Sequence, residues 1–133
     1  MFDASHPTQT GNSLNDVLAK ERNNMNFLLQ IYLRWLIRKC GFHTDVQKMY
    51  NSVRLAKENR CYKLCLYHPD LTPDAKPTVY VINTLIYGVK SSGNQAECAI
   101  REIGNLCSKD FPRQNEIIQN DLYVDDCISR ETV

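Results

Sequence analysis

Two acidic features of the sequence have the residue types needed for metal-dependent catalysis. Asp125 and Asp126 are adjacent and lie between two short apolar segments. This pattern predicts a β-hairpin with two carboxylates at its bend. Asp45 ends a short alternating segment that predicts a strand, with His43 and Asp45 on one face. Aspartate is also common at turns, so each feature taken alone has an ordinary structural explanation.

The two acidic features are more specific in combination. If the strand that carries Asp45 pairs with the hairpin, three carboxylates converge at one place in a sheet. Mg²⁺ binds oxygen ligands and is usually held by one or two carboxylates together with substrate phosphates. Two such ions about 4 Å apart activate an attacking hydroxyl and stabilise a leaving group such as pyrophosphate. The combination therefore favours a nucleotidyl-transfer site that uses Mg²⁺ or Mn²⁺.

Charge is distributed unevenly along the chain. The 133 residues carry a net charge of +1, with 43% hydrophobic and 23% charged residues, a composition typical of one globular domain or part of one. Residues 20–63 carry a net charge of +7, whereas residues 64–133 carry −4. This asymmetry favours a surface that holds a polyanion beside a carboxylate site. The alternative is that these basic residues are scattered over the surface and only solvated, which would give the same net charge of +7.

The cysteines and the chain start indicate an intracellular protein. No basic and apolar leader follows Met1, and the most apolar run is too short to span a membrane. We therefore expect no signal peptide and reduced thiols, mostly in the core. The spacing of Cys61 and Cys65 also fits half a zinc site, but the other cysteines and histidines offer no matching second pair. The six are Cys40, Cys61, Cys65, Cys98, Cys107 and Cys127.

Apolar periodicity predicts two main helices. The first covers 23–40, with Asn23 or Asn24 as its cap and Gly41 at its end. Arg34 and Arg38 would share a face that is solvated or contacts phosphate. The second covers about 92–109, capped by Ser91 or Ser92, with a Glu97–Arg101 pair. Its expected buried stripe consists of Ala96, Ala99, Ile100, Ile103 and Leu106.

The remaining elements are short. The pattern predicts strands over 42–46, 61–67 and 78–83, an irregular hairpin tip over 68–77, a short helix over about 113–120 and the acidic hairpin over 121–129. Residues 13–16 have the composition of a turn or helix cap. This order predicts an α+β fold, in which helices pack on one face of a small antiparallel sheet. Asp45 and the acidic hairpin would belong to the other face.

Four segments in order resemble the motifs of reverse transcriptases, and they are most similar to those of the Bel/Pao family of LTR retrotransposons. Residues 122–126 resemble the Tyr-x-Asp-Asp hairpin, and residues 43–50 resemble the earlier strand motif, with a catalytic Asp followed by an aromatic residue five positions later. Residues 2–5 and 13–16 resemble the motif before it. Residues 85–92 resemble the substrate-binding loop and helix start. The resemblance covers nearly the whole chain, 1–133, and implies the polymerase palm with part of the fingers.

The resemblance also implies roles for individual residues. Asp45, Asp125 and Asp126 would form the metal site, with Asp45 and Asp125 as the principal ligands and the carbonyl of Val46 as a further one. Tyr50 would lie under the sugar of the incoming deoxynucleoside triphosphate and reject a 2′-hydroxyl. Two further residues would lie beside that nucleotide, Tyr87 and Gly88. Where relatives have a proline after the small residues of the third motif, this chain has Ser92, Gly93 and Asn94.

The resemblance further implies partners and a setting. An RNA or DNA template-primer would be bound, in the cytoplasm or in virus-like particles. The upstream fingers residues that grip the triphosphate, and the thumb, ribonuclease H, protease and integrase parts, would lie outside this chain. We therefore expect low activity from the isolated fragment. Two alternatives are a catalytically silent remnant that binds nucleic acid through its basic N-terminal half, and a general α+β interaction module.

Overall fold

The chain folds into helices and short antiparallel strands, in a computed structural model that describes residues 3–19, 21–37, 39–68 and 76–130. Within these ranges lie the α-helices α1 (Leu14–Val17), α2 (Leu28–Leu36), α3 (Met49–Ser52), α4 (Ser92–Leu106) and α5 (Pro112–Asp121). The strands are β1 (Gly41–Asp45), β2 (Leu64–Tyr67), β3 (Thr78–Val81), β4 (Leu122–Tyr123) and β5 (Asp126–Arg130), with a 3-10 helix over Lys57–Tyr62. The predicted α+β class is confirmed.

The main sheet brings the predicted Asp45 strand beside the acidic hairpin. Its strand order is β1-β5-β4, with both pairings antiparallel. In this register Asp45 lies opposite Asp126, and Tyr123 lies opposite Asp126 on the other side. The prediction that these strands are neighbours is confirmed. Because β5 is the central strand, its residues Cys127, Ile128 and Ser129 are buried.

The helices cover this sheet in two layers. Helices α2 and α5 pack against β5, whereas α4 packs mainly on α5 and α3. The expectation that the 92–109 helix lies directly on the sheet is therefore wrong in detail. A core cluster joins α3 and α4 to the intervening loops through Met49, Tyr50, Leu55, Leu85 and Ala96.

Helix α2 is shorter than the predicted 23–40 helix. It begins after Phe27, which makes no side-chain cap, so neither Asn23 nor Asn24 caps it. The asparagines of the preceding segment bind elsewhere: Asn26 Nδ2 donates to the carbonyl of Leu122 at 2.9 Å. Gly41 does not end this helix but opens β1, where a Cβ atom would overlap the indole of Trp35.

Helix α4 buries the predicted stripe only in its first half, where Ala96 belongs to the core cluster and Ile100 packs against it. Ala96 is fully buried, but Ile103 and Leu106 are 58% and 75% exposed, and the helix ends at Leu106 rather than at 109. The buried face instead contains Glu97 and Gly104. A Cβ atom at Gly104 would lie 2.8 Å from Asn115 Oδ1 in α5, so the small residue permits the close helix contact.

The predicted Glu97–Arg101 pair is confirmed, and it serves the contact between the two helices. Arg101 Nη2 lies 2.8 Å from Glu97 Oε1, with both side chains largely buried. The same guanidinium donates to the carbonyl of Gln119 in α5 at 2.8 Å. This polar pair therefore lies in the helix–helix interface.

Two other predictions need correction. Cys61 and Tyr62 belong to the 3-10 helix, so the 61–67 strand begins only at Leu64. The cysteines are not mostly in the core: Cys127 is buried and Cys65 half-buried, but Cys40, Cys61, Cys98 and Cys107 are exposed, and all six are free. The tip of the β2–β3 hairpin, 69–75, lies outside the described residues.

The N-terminal cap signal is confirmed as a capping box at α1. The Ser13 hydroxyl accepts from the backbone N–H of Asp16, and the Asp16 carboxylate accepts from the backbone N–H of Ser13 at 2.8 Å. The Ser13 hydroxyl also donates to the Asp16 carboxylate, and this bond together with the one from the Ser13 backbone N–H lowers the pKa of the Asp16 carboxyl below its usual value. In the described part of the chain, no helix has the length and apolar character required to cross a bilayer.

Candidate metal centre

Three carboxylates meet where β1 ends and the β4–β5 hairpin bends. Asp45, Asp125 and Asp126 each offer an oxygen within 4.8 Å of the other two. The backbone N–H of Val46 donates to the carbonyl of Asp125 at 2.8 Å, which ties the end of β1 to the bend. The antiparallel register and this hydrogen bond together set the spacing of the cluster.

The bend itself has an unusual backbone conformation. Val124 has φ +57°, in the left-handed region that β-branched residues rarely adopt. Its side chain packs against the core cluster, which helps to hold the conformation. Val124 and Asp125 form this two-residue bend between Tyr123 and Asp126, so Asp125 lies in the bend and Asp126 begins β5, both close to Asp45.

The donor set fits a hard divalent cation. Three carboxylates without sulfur or imidazole ligands suit Mg²⁺ or Mn²⁺ better than Zn²⁺. No Lys or Arg of the described residues forms an ion pair with Asp45 or Asp125, so their negative charges are not compensated within that part of the chain. Asp45 is exposed and the other two are half-buried, which leaves the cluster open to solvent and ligands.

His43 is a member of the site to which the motif resemblance assigns no role. Its Nε2 lies 2.8 Å from Asp126 Oδ1, with both side chains partly exposed. The signal is present in the sequence, because alternation along β1 places His43 on the same face as Asp45. A hydrogen bond from the imidazole would orient the Asp126 carboxylate and leave its other oxygen free.

Two tyrosines lie beside the carboxylates. The rings of Tyr50 and Tyr87 are 4.3 Å apart at an interplanar angle of 44°. Tyr50 is buried, and burial raises the pKa of its hydroxyl, with a further increase from the negative charge of Asp125. Tyr87 is 64% exposed, and Gly88 follows it with φ +85°. Tyr50 is thus close to Asp125, and Tyr87 lies against Tyr50. The nucleotide-binding role of Tyr50, Tyr87 and Gly88 stays a prediction.

Asn15 holds the loop that contains Gly88. Its Nδ2 donates to the carbonyl of Gly88 at 2.9 Å, and its Oδ1 accepts from the backbone N–H of Lys90 at 2.8 Å. One amide therefore satisfies two backbone groups that are 73 and 75 positions away in the chain. The sequence shows Asn15 only as part of a cap signal, because no local pattern indicates a contact at that separation.

The basic segment contributes fewer free cations than its charge suggests. Arg34 binds Asp121 through Nε at 3.1 Å, so the expectation of a solvated or phosphate-binding Arg34 is wrong. Lys63 is buried, and two others, Lys20 and Arg38, lie outside the described residues. The exposed basic residues of the segment are Arg22, Lys39, Lys48, Arg54 and Lys57.

Asp121 supports the central strand of the sheet. Besides Arg34, its carboxylate accepts from the Ser129 hydroxyl at 2.7 Å and from Arg130 at 3.4 Å. Asp121 is 4% exposed and Ser129 fully buried. This network joins α2, the end of α5 and β5, and thereby positions the strand that begins at Asp126.

Comparison of the chain with protein-family models and with curated proteins finds no match. A function for this chain therefore has to be inferred from the geometry of its residues and from the motif resemblance.

Proposed function

We propose that this chain is the fingers and palm part of a reverse transcriptase, most similar to the Bel/Pao retrotransposon polymerases. Its reaction would be template-directed transfer of deoxynucleotides. The observation that carries this proposal is the convergence of Asp45, Asp125 and Asp126 within 4.8 Å on paired strands. The motifs predict this convergence from the sequence alone, because it requires the strand that ends in Asp45 to pair with the acidic hairpin.

The residues of the site would have distinct roles as metal ligands in a two-metal reaction. Asp45 and Asp125 would be the principal ligands, joined by Asp126 and the carbonyl of Val46. When bound, two ions activate the primer hydroxyl and stabilise the charge on the leaving pyrophosphate. The chain's own contribution is to hold three oxygens in a fixed cluster, so that little reorganisation is needed when substrate arrives.

The tyrosine pair supports a role in sugar selection. Tyr50 is anchored in the core, and its ring is held against Tyr87. A rigid aromatic ring at the base of a nucleotide site would collide with a 2′-hydroxyl but accept a 2′-hydrogen.

Binding of dUTP is expected to increase the thermal stabilisation that Mn²⁺ gives the protein. The triphosphate supplies oxygen ligands that three carboxylates leave open, so metal and nucleotide should bind cooperatively. Far-UV circular dichroism melts with Mn²⁺, with dUTP, and with both would measure the effect.

Matched nucleotides control this experiment. UTP differs from dUTP by one 2′-hydroxyl, so a smaller shift with UTP would support the role of Tyr50. If the rise in melting temperature with both ligands were only the sum of the rises with each alone, a shared site would be contradicted. A rise with nucleotide that persists in excess EDTA would also contradict it.

A second candidate function is nucleic-acid binding without catalysis. It is favoured by the five exposed basic residues of the 20–63 segment, which have no carboxylate partner among the described residues. In the polymerase proposal the same residues would hold the template-primer backbone, so the two functions share this surface and differ only in the carboxylate site.

A primer–template duplex is expected to bind weakly and with strong salt dependence. Four phosphate contacts would lower the association constant about 100-fold between roughly 50 and 200 mM salt. Fluorescence anisotropy with a labelled duplex measures this. Replacing Lys48 and Arg54 by Gln should weaken binding and flatten the salt slope, whereas Lys109→Gln in the acidic half should not. Binding that is independent of salt would rule out this surface.

A further inference from the structure

A cavity lies between α1, the end of the 3-10 helix and the start of α4, and none of the three clustered carboxylates lines it. Its volume is about 200 Å³. Apolar side chains from three parts of the chain line it: Leu14, Leu18, Leu55 and Val89. Ligand sites for drug-sized molecules usually enclose roughly 300–1,000 Å³, so this cavity suits a smaller molecule.

The cavity contains a buried cation without a counter-charge. Lys63 lines it and is 6% exposed. Its ammonium group forms no ion pair or hydrogen bond with any described residue. Burial lowers the pKa of Lys63, and no carboxylate acts in the opposite direction. A lysine whose side chain is largely buried without a carboxylate partner is unusual. The ammonium group of Lys63 keeps contact with solvent at the cavity.

The start of α4 adds a second donor to the same cavity. Ser91 is the N-cap residue of this 15-residue helix, is 8% exposed and also lines the cavity. Its hydroxyl makes no capping hydrogen bond, unlike that of Ser13 at α1. A helix N-terminus carries partial positive charge. A cation, a free hydroxyl and a helix N-terminus therefore surround an otherwise apolar space.

We propose that this cavity binds a small organic anion, whose charged head pairs with Lys63 and Ser91 and whose apolar body contacts Leu14, Leu18, Leu55 and Val89. The chemistry fits a short-chain carboxylate or an alkyl phosphate, which share an anionic head and an apolar tail. None of these six residues belongs to the carboxylate cluster, although Leu14, Val89 and Ser91 lie in segments that resemble polymerase motifs. The anion would therefore bind beside the proposed nucleotide loop and not at the metal ligands.

The wild-type protein alone tests the charge requirement. In ¹H–¹⁵N spectra, hexanoate should give saturable shifts at the amides of Ser91 and Leu14, whereas hexan-1-ol, which has the same chain without the charge, should not. Butyl phosphate distinguishes the two head groups. Equal binding of hexanol and hexanoate would overturn the proposal, and so would the absence of binding by both hexanoate and butyl phosphate.

A charge-deleting variant tests the residue. Lys63→Met keeps the length of the side chain and should weaken binding of the anion by about tenfold or more, the usual loss for a charged hydrogen bond. The variant should melt at about the wild-type temperature, because the substitution leaves no carboxylate without its partner. Lys57→Met is the matched control and should bind normally, because Lys57 is an exposed lysine at the start of the 3-10 helix that Lys63 follows. Unchanged affinity in Lys63→Met would also overturn the proposal.

Discussion

Asp125→Asn is expected to abolish most of the stabilisation by Mn²⁺ while leaving the metal-free protein as stable as wild type or more so. Three carboxylates within 4.8 Å repel one another in the absence of metal, and removing one charge relieves that repulsion. For the wild type, metal at about 100 times its dissociation constant should raise the free energy of unfolding by about 2.7 kcal/mol. Thermal melts of both proteins with and without Mn²⁺ measure the difference.

Asp110→Asn is the control for this prediction. Asp110 is an exposed turn aspartate outside the cluster, so its replacement should leave the response to Mn²⁺ intact. An equal metal response in wild type and Asp125→Asn would mean that the ion binds elsewhere. A loss of metal-free stability in Asp125→Asn would indicate an ordinary structural turn residue.

Asp121→Asn should lower the free energy of unfolding by about 2–3 kcal/mol, a larger loss than for any exposed ion pair. The substitution leaves Arg34 and Arg130 without their carboxylate, and it weakens the acceptor of the buried Ser129 hydroxyl. Part of each guanidinium remains in contact with water, so the loss should stay below that of a fully buried pair. Urea denaturation followed by circular dichroism provides the measurement.

Glu116→Gln supplies the comparison. Glu116 pairs with Arg113 on the surface, with its own side chain 59% exposed, so its replacement should change stability by less than about 1 kcal/mol. Similar losses for the two variants would show that Asp121 acts as a surface charge. Because Asp121 anchors the strand that starts at Asp126, its variant should also reduce the stabilisation by Mn²⁺.

The residues of the candidate site can be predicted from the sequence because the patterns that indicate them are local. Alternation along 42–46 and the apolar flanks of Asp125 and Asp126 specify strands and a bend. The motif order then predicts that these strands pair, and the register of Asp45 with Asp126 bears this out. The position of His43 can be predicted in the same way, because strand alternation places it on the same face as Asp45. The motifs assign no role to it.

The helices show where local signals are insufficient. The asparagines before α2 offer two possible caps, Asn23 and Asn24, but neither caps the helix. Asn26 in the same segment instead binds the carbonyl of Leu122 in β4. In α4 the apolar stripe predicts one buried face, but a glycine and a Glu–Arg pair face α5. Close helix contact favours a small residue and paired polar groups, and neither is visible in hydrophobic periodicity.

The sequence by itself determined the α+β class, the acidic hairpin, the strand that ends in Asp45 and the turn or cap signal at 13–16. These depend on periods of two or 3.6 residues and on turn chemistry, which act over a few neighbouring positions. Only the tertiary structure decided that Arg34 pairs with Asp121, that Asn15 holds the Gly88 loop and that Lys63 is enclosed in a cavity. Those contacts join residues remote in the chain, and burial of a charge depends on which elements pack around it rather than on its own neighbours.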